Sequence, residues 1–104
     1  MKTSEMIKQQ ISENPIILYM KGNPQFPMCG FSASAVSSLK KNGCEFAFVN
    51  VLEHPRIRQG LPEYSEWPTF PQLFINGELI GGSDIISDMD KAGTLKAALE
   101  AAQD

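Results

Sequence analysis

Ile16-Ile17-Leu18-Tyr19-Met20 is apolar at nearly every position. A strand wetted on one face alternates apolar and polar residues, so an unbroken run has to be covered on both faces. That requires helices above and below one sheet, and restricts the chain to an α/β arrangement. The next segments supply the expected connection. A Gly/Pro-bearing loop leads into an amphipathic stretch from Gly30 to about Asn42, with Phe31, Ala35, Val36 and Leu39 as its buried stripe. Lys40 and Lys41 suit the C-terminal end of a helix, and Gly43 suits the left-handed position beyond it. Phe46-Ala47-Phe48-Val49-Asn50-Val51 reads as a second strand. Strand, helix and strand at this length predict a right-handed βαβ unit with two parallel strands.

The flanking segments complete one domain, residues 1–104, as the length suggests. Ser4 to about Ser12 is expected to be a short helix capped by Thr3 or Ser4, with Met6, Ile7, Gln10 and Ile11 on its inner face. Pro55 suits the first position of another helix, and Pro62 reads as the restart of a second turn. Trp67-Pro68-Thr69-Phe70-Pro71 is a stiff crossing, and a proline directly before a strand marks a tight, sometimes cis, peptide. Gln72-Leu73-Phe74-Ile75 is the third strand. Asn76-Gly77 turns it back into Glu78-Leu79-Ile80-Gly81. A helix from about Asp84 to Ala92, with Ile85, Ile86 and Met89 inward, and a short final helix follow. The expected architecture is a four-stranded mixed sheet flanked by helices on both faces.

Chemistry concentrates in Lys21-Gly22-Asn23-Pro24-Gln25-Phe26-Pro27-Met28-Cys29-Gly30-Phe31-Ser32. Cys29 falls at a helix N-terminus, where unpaired N–H groups and the helix dipole favour the thiolate. Lys21 adds to that effect. A local redox pair needs a second cysteine three residues on, and Ser32 stands there instead. The other thiol, Cys44, follows the far end of the same helix, about 20 Å away at 1.5 Å per residue, beyond disulfide reach. Cys44 reads as a structural residue. Two cysteines suit a reducing, cytoplasmic setting. A net charge of −3 with scattered basic residues gives no reason to expect nucleic acid. No run approaches the roughly 20 apolar residues that span a bilayer, and Met1-Lys2-Thr3-Ser4-Glu5 has no signal-peptide character.

Read alone, Arg58 is a solvated surface charge, His54 an exposed polar residue, and Gly82-Ser83-Asp84 an ordinary capped helix start. Topology changes their weight. With the third strand antiparallel to the first, Phe70-Pro71 meets the end of the first strand and the Cys29 loop. Arg58 and the glycine turn before Ser83 and Asp84 come to the same edge, where open α/β sheets hold ligands.

Lys21-Gly22-x-Pro24, Cys29-Gly30-Phe31-Ser32, Trp67-Pro68-Thr69-Phe70-Pro71-Gln72 and Gly81-Gly82-Ser83-Asp84 together resemble the monothiol glutaredoxins of the thioredoxin-like superfamily. The short form looks most like the bacterial type. The resemblance spans nearly the whole chain. It implies a thioredoxin-like fold and glutathione as ligand: Lys21 and Arg58 on its glycyl carboxylate, the main chain of Phe70 before Pro71 on its cysteinyl backbone, Ser83 on its γ-glutamyl carboxylate and Asp84 on its amine. It also implies a labile [2Fe-2S] cluster. Such a cluster takes four thiolates. Cys29 from each of two subunits and one glutathione with each would supply them, giving a homodimer when loaded. A BolA-type protein in place of one subunit, and apo iron–sulfur acceptor proteins, are the partners implied. The alternative is a glutathione-dependent thiol–disulfide oxidoreductase acting on protein–glutathione mixed disulfides. The Asn23–Met28 loop favours the carrier, since members with this longer loop are typically poor reductases. In one departure, Ser83 stands where members often have cysteine, which removes a possible second thiol.

Overall fold

The structure is a computed structural model and describes residues 1–103. It comprises α1 (Thr3–Glu13), β1 (Ile16–Met20), α2 (Gly30–Lys41), β2 (Ala47–Asn50), α3 (Pro55–Ser65), β3 (Gln72–Ile75), β4 (Glu78–Gly81), α4 (Ser83–Ala92) and α5 (Thr94–Gln103). The sheet order is β2-β1-β3-β4. β1 runs parallel to β2 and antiparallel to β3, with Ile17 opposite Ala47 on one side and Phe74 on the other. β3 and β4 form the hairpin, and its turn is made by Asn76 (φ 50°) and Gly77 (φ 80°). Positive φ at both central residues matches the right-handed strand twist, which is why Asn-Gly is favoured there.

All five residues of β1 are buried, and their alternation divides the core. Ile16, Leu18 and Met20 face one cluster with Ala35, Val36 and Leu39 of α2, Ile86 of α4, and Leu95 and Leu99 of α5. Ile17 and Tyr19 face the other, with Ile7 and Ile11 of α1, Ile57 and Leu61 of α3, and Phe74. The apolar stripes of the helices and the two faces of one strand therefore specify each other. The Tyr19 phenol is the polar exception. It donates to Gln10 Oε1 at 2.8 Å, so its burial leaves no hydrogen-bonding group unmatched. Burial, with Tyr64 adding to it, pushes the phenol's pKa far above its ordinary value.

Several local expectations are corrected. Neither Thr3 nor Ser4 caps α1: Lys2 holds the cap position, without a side-chain cap bond. The Thr3 hydroxyl instead accepts from Arg56 Nε at 3.1 Å, while Arg56 also donates to the Met1 carbonyl. α1 lies so close to α3 that a Cβ on Gly60 would sit 2.8 Å from Thr3 Cγ2. Pro62 does not restart a turn, because α3 is continuous through it; a proline there withholds one N–H and crowds the carbonyl one turn back. Phe46 and Val51 fall outside β2. Phe31 and Ile85, expected in the core, are 65% and 39% exposed. Both lie in the first turn of their helices.

The C-terminal end of α2 is fixed to α4. Asp90 accepts from Asn42 Nδ2 at 3.0 Å and from Lys41 Nζ at 3.2 Å. These bonds hold its carboxyl below the usual range, Asn42 contributing most. The contact orients the two helices whose opposite ends carry Cys29 and Ser83. Cys44 is buried beyond the end of α2 and donates to the Glu45 carbonyl at 3.3 Å, as its structural reading requires.

Leu18 is fully buried at the centre of the first cluster. Leu18→Ala is expected to lower the unfolding free energy by about 2–5 kcal/mol, read from the urea midpoint at unchanged m-value.

Candidate functional site

The site begins where β1 ends. The Lys21 N–H donates to Ser32 Oγ at 3.1 Å, and the Lys21 carbonyl accepts from Met28 N–H at 2.8 Å. Between them the chain makes a tight excursion. Gly22 bridges to Pro27, and Asn23 and Phe26 exchange backbone hydrogen bonds. The Asn23 side chain accepts from the N–H groups of Gln25 and Phe26. Gly22 has φ 92°, and a Cβ there would meet the Phe26 carbonyl at 2.5 Å, so this position excludes any side chain.

Cys29 is the N-cap of α2, with extended backbone at φ −153° and ψ 156°. Its half-buried Sγ receives the Ser32 N–H at 3.3 Å and lies 3.2 Å from Ser32 Oγ. Ser32 is fully buried. Its oxygen already accepts from Lys21, so its one proton is available to the sulfur, and the thiolate is the form that uses it. Burial alone would push the Cys29 thiol up. The Ser32 hydroxyl, the N–H groups of Ser32 and Phe31, and the Lys21 charge outweigh that and hold it below its ordinary value.

Beside the thiol lies an open cavity of about 530 Å³, walled by Lys21, Arg58, Phe70, Pro71, Ser83 and Asp84. The chain thus brings six of the sequence-derived positions to one place. Cys29 is not itself a wall residue, but Phe31 on the same helix turn is. The antiparallel register from Tyr19 and Gln72 leads directly to Lys21 and to the cis Phe70-Pro71 peptide. Gln72 is buried and donates to the carbonyls of Trp67 (2.9 Å) and Thr69 (3.1 Å), which shapes the crossing before that peptide. Lys21 and Arg58 supply positive charge. Asp84, in the first turn of α4, supplies a negative one, next to backbone N–H groups that begin at Gly82 and favour an anion. A ligand with separated carboxylates and an amine matches this distribution.

Five further wall residues, Phe31, Trp67, Pro68, Thr69 and Gly82, belong to the sequence motifs but were not assigned to the ligand individually. Trp67 Nε1 and Gln72 Oε1 are buried without a hydrogen-bond partner. Gly82 is needed for closeness, since a Cβ there would come within 3.3 Å of Trp67 Nε1 and 3.4 Å of the Pro71 carbonyl. His54 is exposed at the N-cap of α3 and makes no part of the cavity. Among the described residues no three His, Cys, Asp or Glu side chains are grouped to hold a metal ion, and no helix is long and apolar enough to cross a membrane.

A thiol at a helix start, a cis-proline opening the antiparallel strand and this strand order are those of a thioredoxin-like fold. The glutaredoxin family model matches residues 16–80. Glutaredoxin 4 of Pasteurella multocida is 56% identical over 99 residues, covering 95% of this chain and 91% of that protein. Reduced poplar apo GrxS14 in solution has a similar structure, with a TM-score of 0.81, 44% identity, and 95% and 91% of the two chains covered. A buckwheat glutaredoxin–glutathione complex shares the fold at a TM-score of 0.85 and 20% identity, with 97% and 90% covered. The chain belongs to the glutaredoxin family and, with Ser32 in place of the second thiol, to its monothiol members.

Removing the Ser32 hydroxyl takes a donor from the thiolate and leaves the opposing burial in place. Ser32→Ala is therefore expected to raise the Cys29 pKa, moving the pH profile of iodoacetamide alkylation to higher pH. An unmoved profile would show that the backbone N–H groups and Lys21 suffice.

Proposed function

We propose that this single glutaredoxin domain binds glutathione and carries a labile [2Fe-2S] cluster between two subunits, for delivery to apo iron–sulfur proteins. The observation that carries the reading is the solitary thiol: half-buried, ionised more readily than usual, and set beside a cavity charged for a zwitterionic tripeptide. Glutathione offers two carboxylates, an amine and a thiol. In this reading Lys21 and Arg58 take the glycyl carboxylate, the main chain of Phe70 pairs with the cysteinyl residue, the α4 start at Ser83 takes the γ-glutamyl carboxylate, and Asp84 takes the amine. The glutathione bound by the related buckwheat protein supports the ligand's identity.

The chain offers one thiolate at the site, and a [2Fe-2S] cluster usually takes four. Cys29 of each of two subunits, with one glutathione thiol apiece, completes the set. Half of the ligands then exchange freely, which suits cargo to be handed on. A cytoplasmic setting, where thiols are kept reduced, is part of the same reading. A BolA-type protein in place of one subunit is part of the same reading, by likeness to the monothiol class.

The accessible, low-pKa thiol also supports a second reading, a glutathione-dependent oxidoreductase. There Cys29 attacks a protein–glutathione mixed disulfide, releases the protein thiol and keeps the glutathione, until a second glutathione removes it as the disulfide. Ser83 in place of a second thiol leaves that last step to glutathione.

Anaerobic incubation with iron, sulfide and glutathione is expected to give a coloured dimer. Omitting glutathione, or Cys29→Ser, is expected to give a colourless monomer. Colourless wild-type protein with rapid turnover on a glutathione mixed disulfide would overturn the carrier reading in favour of the second.

A further inference from the structure

The peptide joining Lys21 to Gly22 is held at both ends. Its carbonyl accepts from Met28 N–H at 2.8 Å, within the loop. Its N–H, on a buried glycine, donates to Asn50 Oδ1 at 3.0 Å. Asn50 ends β2 and stands opposite Met20 in the sheet, so its side chain reaches past the end of β1 to the first residue of the excursion. The amide is itself fixed. Oδ1 also accepts from Leu52 N–H at 3.0 Å, and Nδ2 donates to Glu53 Oε1 at 3.1 Å. All three contacts agree on one amide orientation.

We propose that Asn50 is a positioning residue for ligand binding: by clamping the Lys21–Gly22 peptide to β2, it aims the Lys21 ammonium at the cavity. Gly22 has no side chain to restrict rotation and already sits at φ 92°. That peptide has one other hydrogen bond, from the Met28 N–H, which comes from within the same excursion. Without the Asn50 acceptor the buried N–H has no partner, and the peptide turns to find one. Lys21 then keeps its N–H bond to Ser32 Oγ but loses the tie on its carbonyl side, so its side chain is less firmly directed. Asn50 does not wall the cavity, so its effect on a ligand passes through Lys21.

The inference rests on Lys21 holding a carboxylate of glutathione, and a double-mutant cycle separates the two claims. The probe is S-methylglutathione, which keeps the carboxylates and amine without a reactive thiol, titrated into the intact apo-protein by NMR. Lys21→Met is expected to weaken binding about tenfold and Asn50→Ala about fivefold, in line with a charged and a neutral hydrogen bond. The double variant is expected to bind no more weakly than Lys21→Met alone. Asn50→Asp with Glu53→Gln restores the acceptor at unchanged net charge, and is expected to recover affinity to within about twofold of wild type. If Asn50→Ala fails to fold, Asn50→Ser takes its place in the cycle. Additive losses, or an unchanged affinity for Asn50→Ala while Lys21→Met is weakened, would overturn the positioning role and leave the ligand assignment standing. An unchanged affinity for Lys21→Met would overturn the assignment itself, and the proposal with it.

Discussion

One buried hydroxyl holds the site together. Ser32 Oγ takes the first N–H beyond β1 and faces the sulfur of Cys29. The end of the central strand, the start of α2 and the reacting atom therefore share one hydrogen-bonded centre. Because Ser32 is fully buried, water does not compete for these bonds, and their geometry is fixed by packing rather than by chance encounter. In a dithiol site a second sulfur stands at this position and forms a disulfide with the first. Here the hydroxyl only stabilises the thiolate, so the chemistry turns outward, to whatever sulfur the cavity holds.

That centre depends in turn on β1. Its alternating side chains enter two separate clusters, so the strand cannot slip by one residue without exchanging the contents of both. The strand's end, and hence Lys21, is fixed by α2, α4 and α5 on one side and by α1 and α3 on the other. The α2–α4 contact through Asn42 and Asp90 does the same for the far ends of the two helices that begin at the site. Rigid elements set the positions of the cations and the thiol before any ligand arrives, which is the preorganisation a binding site needs.

Much of this was legible in the residues. The apolar run, the βαβ spacing and Asn-Gly define the sheet, because each reflects a local rule that tertiary contacts did not override. Topology, and then resemblance, gave Arg58, Ser83 and Asp84 their weight, since each is unremarkable alone. The failures are also physical. Helical spacing assigns Phe31 and Ile85 to inner faces, but spacing carries no information about how far the partner elements extend to cover a helix's first turn. Thr3 has the chemistry of a cap, yet a guanidinium 53 residues away along the chain uses its oxygen. Trp67 and Thr69 wall the cavity with their carbonyls tied to Gln72, and a buried glutamine's partners cannot be read from its own position.

The excursion from Lys21 to Met28 is closed by main-chain hydrogen bonds and by the Asn23 side chain, and the Lys40 ammonium adds one to the Pro24 carbonyl at 3.3 Å. Phe26 and Met28 nonetheless point outward, 74% and 67% exposed, with Phe31 beside them. Three large exposed apolar side chains thus lie within three residues of the thiol, on a backbone tied by hydrogen bonds. A macromolecule approaching the thiol meets a stiff, greasy collar, and seating against it costs little chain freedom on this side of the encounter.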